Sequence, residues 1–380
     1  MSLRTNLMRA ATSALTSRAV RGLRRGRFAL RRRIRGGRAV ICYFHQPDDP
    51  YSRLTAQMLA PLAARYDVEI RAFPVPPPSD AAAPEREKLA AYAIRDARRI
   101  APAYGLDPDL DDPPVFEATV EEGGAERTRL GHYLGAMFWF DGEWFWGLDR
   151  LGHLEARLAA LGLDREPGKP PLAPSRDIVL PPLKAKPKDA VIELWFSFRS
   201  PYSYLALPRI RRLAAHYGAE LRLRPILPMV MRGLPVPAEK RLYIVLDCKR
   251  EAERLGLPFG RIVDPVGAGA ERALAVLHHA VPLGLGEAFS ELAARGAFAD
   301  GIALAEDGGL NDVAARAGLT HAQVAEALAD DSWRAAVEDN REALFAAGLW
   351  GPPSFRLNGG PAWWGQDRLW VLEEELQALV

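Results

Sequence analysis

The sequence predicts an α/β protein made of two tandem copies of one unit, the second enlarged by an all-helical insertion. Three observations carry this. Short apolar runs at 39–45 and 191–198 are each followed by Pro-Tyr-Ser and then by an amphipathic stretch, the pattern of a buried strand feeding a helix. Sliding the chain by 151 residues aligns 39–75 with 190–226 without a gap, with 14 identities in 37 positions. Near the end of each copy, Gly147, Asp149, Arg150 and Leu151 recur as Gly365, Asp367, Arg368 and Leu369, a further 67 residues out of step, so the second copy holds extra sequence over about 258–349.

Taken in order, residues 1–38 hold twelve arginines and no acidic residue, which leaves the remainder with 38 basic and 48 acidic side chains, a net of −10. The arginines alternate with Leu3, Leu7, Leu15, Val20, Leu23, Phe28, Leu30 and Ile34, so this tail has three readings: a basic amphipathic helix on anionic lipid, an acid-free targeting segment, or an extension that is solvated or packed on the body. Arginine clustering also suits nucleic acid, but the acidic body opposes it, and no nucleic-acid partner is expected. Residues 39–166 then read as strand, helix, strand, helices, hairpin and terminal helix. The Pro- and Lys-rich stretch 167–189 reads as a semi-extended linker, and 190–380 repeats the first order with the insertion added.

Asp141-Gly142 and Asn358-Gly359 predict hairpin turns, because both residues of such a turn need positive φ. Leu151, Leu154, Leu158 and Leu161, and likewise Leu369, Leu372, Leu376 and Leu379, fall at helical spacing. Within the insertion, Thr320 and Gln323 form a capping-box signature.

Composition excludes several classes. No apolar run of 18 residues predicts a membrane-spanning helix. The two cysteines, Cys42 and Cys248, form no Cys-x-x-Cys pair and read as a buried strand residue and a helix residue. No Cys/His spacing suggests a metal site, and His278-His279 reads as helix surface. No phosphate-binding glycine loop is present. A cytoplasmic location is expected, with membrane-surface association or organellar targeting through the tail left open.

Chemistry concentrates at Phe196-Ser-Phe-Arg-Ser-Pro-Tyr-Ser-Tyr-Leu-Ala206. Ser200 suits a helix N-cap, with Pro201 at the first helical position. A hydroxyl held among free N–H groups at the positive end of a helix also suits an anion such as a thiolate. Two further motifs lie far downstream, Gly351-Pro-Pro-Ser-Phe355 and Trp364-Gly-Gln-Asp-Arg-Leu369.

These three motifs, in this order over about residues 190–380, resemble those of the 2-hydroxychromene-2-carboxylate isomerases and kappa-class glutathione transferases, DsbA-like thioredoxin folds with Ser-Pro-(Tyr/Phe)-Ser in place of Cys-x-x-Cys. The resemblance implies two tandem thioredoxin-like domains and a glutathione-dependent isomerase or transferase acting on a small electrophilic substrate. It implies glutathione as cofactor, its sulfur at Ser200, its γ-glutamyl end at Asp367 with Gln366 assisting, and its cysteinyl backbone along the loop at Pro352 and Pro353, the latter at the family's cis-proline position. The chain departs from the pattern at two points. Pro352 has no N–H to offer, and the family's Asn-x-Pro-Pro segment reads here as Arg232-Gly-Leu-Pro-Val-Pro237, which leaves Lys240 or Arg241 to reach the ligand. The alternatives are a DsbA-like thiol-disulfide oxidoreductase and a non-catalytic binding or scaffold protein.

In the first copy Asp49 stands where Ser200 does and Ala136 where Pro353 does. A carboxylate there repels a thiolate, so this copy is expected to be degenerate and retained for packing. Tyr92 and Asp96 recur as Tyr243 and Asp247, which marks them as fold-supporting, and the tryptophans 144, 146, 363 and 364 read as core. Because a tandem repeat resembles a dimer of single domains, a monomer or a homodimer is expected.

Overall fold

The computed structural model describes residues 3–380, less the side chains of Leu3, Arg4 and Arg35. The chain forms two compact units: Arg18–Arg176 with Val236–Tyr243, and Asp177–Pro235 and Ile244–Val380 with the N-terminal Met1–Ser17. The arginine-rich tail is therefore not one extension. It is two helices, α1 (Leu3–Leu15) and α2 (Arg18–Arg35), and each clusters with a different unit.

In the first copy β1 (Ala39–His45) leads to α3 (Pro50–Ala56), α4 (Leu59–Arg65) and β2 (Val68–Pro74). Pro61 lacks the N–H that would reach the Gln57 carbonyl, which accounts for the break between α3 and α4. Then come α5 (Arg86–Ile100), α6 (Val120–Arg129), β3 (Met137–Phe140), β4 (Glu143–Trp146) and α7 (Gly147–Ala159). The second copy runs β5 (Val191–Phe196), α8 (Pro201–Tyr217), β6 (Glu220–Pro225) and α9 (Ala238–Leu255), continues through the insertion helices α10 (Ala268–Ala280), α11 (Gly286–Arg295), α12 (Asp307–Arg316), α13 (His321–Ala329) and α14 (Trp333–Ala346), and closes with β7 (Ser354–Leu357), β8 (Trp363–Trp364) and α15 (Leu369–Gln377).

Among the described residues the strands form two four-stranded sheets, ordered β2-β1-β3-β4 and β6-β5-β7-β8. In each, the first strand pairs in parallel with the second and antiparallel with the third. Matching order and register are what the sequence repeat predicts, and both central strands are buried, as their apolar runs require.

The hairpins differ. Asp141 and Gly142, both at positive φ, make a two-residue turn between Phe140 and Glu143. Asn358 and Gly359 also take positive φ, but the β7–β8 ladder stops at Phe355 and Trp363, since Pro361 has no N–H to extend it. Leu151, Leu154 and Leu158 are fully buried on α7, and Leu369, Leu372 and Leu376 on α15; Leu161 and Leu379 fall beyond the helix ends. The capping box at Thr320 forms, and so does one at Thr119–Glu122.

The stretch 167–189 contains no helix or strand, yet it is pinned rather than free. Leu172 and Ala173 N–H groups donate to Glu155 of α7 at 2.7 and 3.0 Å. Val179 and Leu180 donate to Glu373 of α15 at 2.6 Å each. Each end thus belongs to the unit beside it.

Candidate active site

Ser200 sits where β5 hands over to α8. Ile192, Leu194, Trp195 and Phe196 are fully buried, so the strand is fixed, and Pro201 presets the first helical turn. Ser200 keeps extended backbone angles (φ −93°, ψ 112°), and its Oγ accepts the Ser203 N–H at 3.1 Å. The same hydroxyl donates to the Pro352 carbonyl at 3.3 Å. Ser200 thus acts as a cap while touching the loop 152 positions downstream.

That loop is held at both sides. The Pro352–Pro353 peptide is cis. Gly365 N–H donates to the Pro353 carbonyl at 2.9 Å, and the buried Ser354 hydroxyl donates to Gly351 O at 2.7 Å. Trp350 and Trp364 meet edge to face at 4.0 Å, and a Cβ on Gly351 would collide with the Trp364 ring, so only glycine permits this approach.

Gln366 and Asp367 form a short turn before α15. Gln366 is fully buried: its oxygen accepts from Arg209, and its amide donates to Glu251 at 3.1 Å and to Asp367. Gln366, expected from sequence to assist at the ligand, has its amide engaged by Glu251 and Asp367 and so orients the half-buried Asp367 carboxylate. Arg209, Asp177, Glu251 and Arg254 complete this buried charge network.

Lys240 is also placed differently from the expectation. It lies in the segment that clusters with the first unit, where its Nζ donates to Ala82 O at 2.6 Å, and burial lowers its pKa to about 8. Its ammonium is therefore engaged by a backbone carbonyl of that unit.

Arg199 was not marked as a site residue by any sequence motif. Its guanidinium, next to Ser200, pairs side-on with Asp264 at 2.8 Å through both nitrogens. No local pattern links residues 65 positions apart, so this pair was invisible before folding. Asp247 is buried and accepts from Tyr202 OH at 2.8 Å and from Arg250 at 2.9 Å, tying α8 to α9 as a fold-supporting residue does. His278 lies on the surface against Ser332, and no cluster of metal-ligating side chains occurs among the described residues.

Both cysteines are buried and neither is in a disulfide, and burial pushes the Cys42 thiol up to about 11. Neither belongs to the Ser200 turn. The turn thus offers, at the start of α8 and against the cis-prolyl loop, a hydroxyl that can donate or accept.

The profile of the DsbA-like thioredoxin family matches residues 191–377. That stretch is a DsbA-like thioredoxin domain. Over the same half, the chain is similar to 2-hydroxychromene-2-carboxylate isomerase of Pseudomonas sp. strain C18 (26% identity, 48% of this chain and 88% of that one) and of Pseudomonas putida (24%, 50% and 95%). A solved structure of 2-hydroxychromene-2-carboxylate isomerase aligns at 23% identity with a TM-score of 0.44, covering 50% of this chain and 95% of that one. A cytosolic disulfide reductase of Pseudomonas aeruginosa aligns at 23% with a TM-score of 0.39, covering 50% and 99%.

Proposed function

We propose that the DsbA-like domain is a glutathione-dependent isomerase or transferase acting on a small electrophilic substrate. The observation that carries this reading is Ser200. It is a hydroxyl, not a thiol, at the start of a 17-residue helix, and it touches the carbonyl of the cis-prolyl loop. With no cysteine at the turn, the domain itself supplies no redox couple, so a thiol must come from a ligand. The isomerase-named relatives support the same reaction class.

Glutathione sulfur would sit at Ser200, where the hydroxyl swings from Pro352 O to donate to the thiolate. That hydrogen bond and the helix terminus both favour the ionised form, lowering the thiol pKa from about 8.5. Asp367, oriented by Gln366, would receive the γ-glutamyl ammonium, and the peptide at Pro352–Pro353 would pair with the cysteinyl backbone as an added strand. The thiolate adds to the electrophilic carbon of a conjugated double bond, and the π electrons move onto the carbonyl oxygen as an enolate. Rotation about the new single bond and expulsion of the thiolate give the isomer with no net change in electrons or atoms. Protonation of the enolate instead leaves a thioether conjugate. Because Pro352 has no N–H, one backbone hydrogen bond is forfeited, about 1 kcal/mol or fivefold in affinity.

Calorimetric titration of glutathione into the protein, with thiolate absorbance followed in parallel, tests this. Micromolar-to-millimolar binding that weakens in Asp367→Ala, with a thiolate signal lost in Ser200→Ala, supports the enzyme. Absence of binding favours a scaffold role for the domain.

A further inference from the structure

Helix α2 is docked the wrong way round for a helix whose apolar stripe serves its own protein. Its inward face is arginine and one aromatic ring. Arg25 pairs side-on with the buried Glu143 at 2.9 and 3.0 Å, and Arg32 reaches Asp141 at 2.6 Å. Phe28 stands edge-on to Trp139 at 5.7 Å and rests on Gly142, where a Cβ would strike its ring. These partners lie on the β3–β4 hairpin, at the edge of the first sheet, so α2 is clamped along that edge.

The opposite face is apolar and bare. Val20, Leu23, Leu30 and Ile34 are 43%, 72%, 59% and 76% exposed. At 3.6 residues per turn they share, with Arg27, roughly a quarter of the helix circumference. Arg27, Arg31 and Arg33 are exposed in or beside that stripe, and residues 1–38 hold no acidic side chain to oppose them. Burying an apolar stripe is what usually makes such a helix stable in a globular protein. Here ion pairs and Phe28 hold the helix instead, and the stripe is left for something outside the unit.

We propose that α2 is an interfacial membrane anchor for an anionic lipid surface. The stripe from Val20 to Ile34 lies in the headgroup boundary, and Arg27, Arg31 and Arg33 extend along it to lipid phosphates. Charge decides between occupants. In a pairing with a second copy, the seam Val20, Leu23, Arg27, Leu30, Ile34 would bring a guanidinium to its centre from each side, an apposition of like charges. On lipid the same arginine reaches sideways to a phosphate and gains affinity, about fivefold for each basic residue near an anionic surface.

The test uses the full chain in sedimentation with vesicles of phosphatidylcholine alone and of equal parts phosphatidylcholine and phosphatidylglycerol. Binding is expected only to the anionic vesicles and is expected to weaken with salt. Leu23→Ser/Leu30→Ser/Ile34→Ser should lose at least tenfold in partitioning, and Arg27→Glu/Arg31→Glu/Arg33→Glu about a hundredfold or more. All six side chains are exposed, so both variants should keep the near-ultraviolet circular dichroism of the parent. A parent that stays in the supernatant with anionic vesicles overturns the proposal, as does a triple-serine variant that binds as well as the parent. So does a vesicle-free dimer, seen by sedimentation velocity, that the triple-serine variant abolishes, since the stripe would then be a self-interface.

Discussion

The two copies place different chemistry on one local geometry. In both, Pro-Tyr-Ser opens a helix, the serine hydroxyl accepts the N–H six residues earlier (Gln46 to Ser52 at 3.1 Å, Ser197 to Ser203 at 3.3 Å), and the tyrosine hydroxyl reaches a buried aspartate (Tyr51 to Asp96 at 2.7 Å, Tyr202 to Asp247 at 2.8 Å). In both, a glycine N–H closes the distal loop, Gly147 onto Ala136 O and Gly365 onto Pro353 O. The difference lies in the capping residue. Ser200 shares its hydroxyl between Ser203 N–H and the Pro352 carbonyl. Asp49 is consumed by its own turn, accepting from Tyr51 N, Ser52 N and Ser52 Oγ, and Ser52 Oγ in turn accepts the Ala136 N–H at 2.8 Å. Ala136 can supply that N–H because it is not proline. The first turn is thus internally satisfied, which supports the reading that this copy is kept for packing.

Exchanging the capping residues breaks the comparison most sharply. Ser200→Asp should reduce thiolate binding at the second turn by about a hundredfold or more, since a carboxylate disfavours a neighbouring anion by at least two pKa units' worth of energy. The thiolate absorbance of a glutathione titration measures it, and a signal equal to the parent's would mean that Ser200 is only a cap.

The shared Tyr–Asp tie should weigh equally in both copies. Asp247→Ala and Asp96→Ala each strand buried donors and should cost about 2–3 kcal/mol in denaturant unfolding. A large cost in one copy alone would show that the repeat is not structurally equivalent.

Asp49 is partly buried, and desolvation raises its pKa to about 6 against its three hydrogen bonds. Its folded value lies above the unfolded one, so the folded state holds the proton more tightly, and stability is lost as pH rises from about 4 to about 6. Asp49→Asn should therefore stabilise the protein by on the order of 2 kcal/mol above pH 6 and by nothing near pH 4. His45 runs the other way. Burial lowers it to about 4, so its contribution is present above its unfolded value of 6.5 and lost as pH falls toward 4. The two oppose each other in the parent, so melting temperatures of Asp49→Asn against pH should rise more steeply from pH 4 to 6 than the parent's. A variant-minus-parent difference that is flat from pH 4 to 8 would contradict this.

The smallest effect concerns Arg127 of α6, which is 5% exposed, has buried Nε and Nη1 without hydrogen-bond partners, and has its pKa lowered to about 10 by desolvation alone. Replacing an unpaired buried charge by an apolar side chain removes a desolvation cost, so Arg127→Met should raise stability by about 1 kcal/mol. A loss in chemical denaturation would show that the guanidinium has a partner in solution.

Much of this was legible in sequence because it is local. The repeat, the two hairpin signals, the capping box at Thr320 and the apolar strand–turn–helix at Ser200 each depend on residues within a few positions of one another, and backbone sterics and hydrogen-bond capping act at that range. The three motifs singled out Ser200, Pro353 and Asp367 in order along the chain, and the first two meet through the Ser200 hydroxyl and the cis-prolyl loop. What the fold alone decided involves partners far apart in the chain. Arg199 finds Asp264 in the insertion, Gln366 is absorbed by Arg209 and Glu251, and Lys240 turns to Ala82 instead of the Ser200 turn. The same holds for the tail. Its sequence allowed a basic amphipathic helix as one of three readings but did not say which face would dock, because that depended on two acids, Glu143 and Asp141, presented together by a hairpin more than a hundred residues away. Amphipathicity is written in the chain; which side meets the protein is settled only when tertiary structure brings the competing partners within reach.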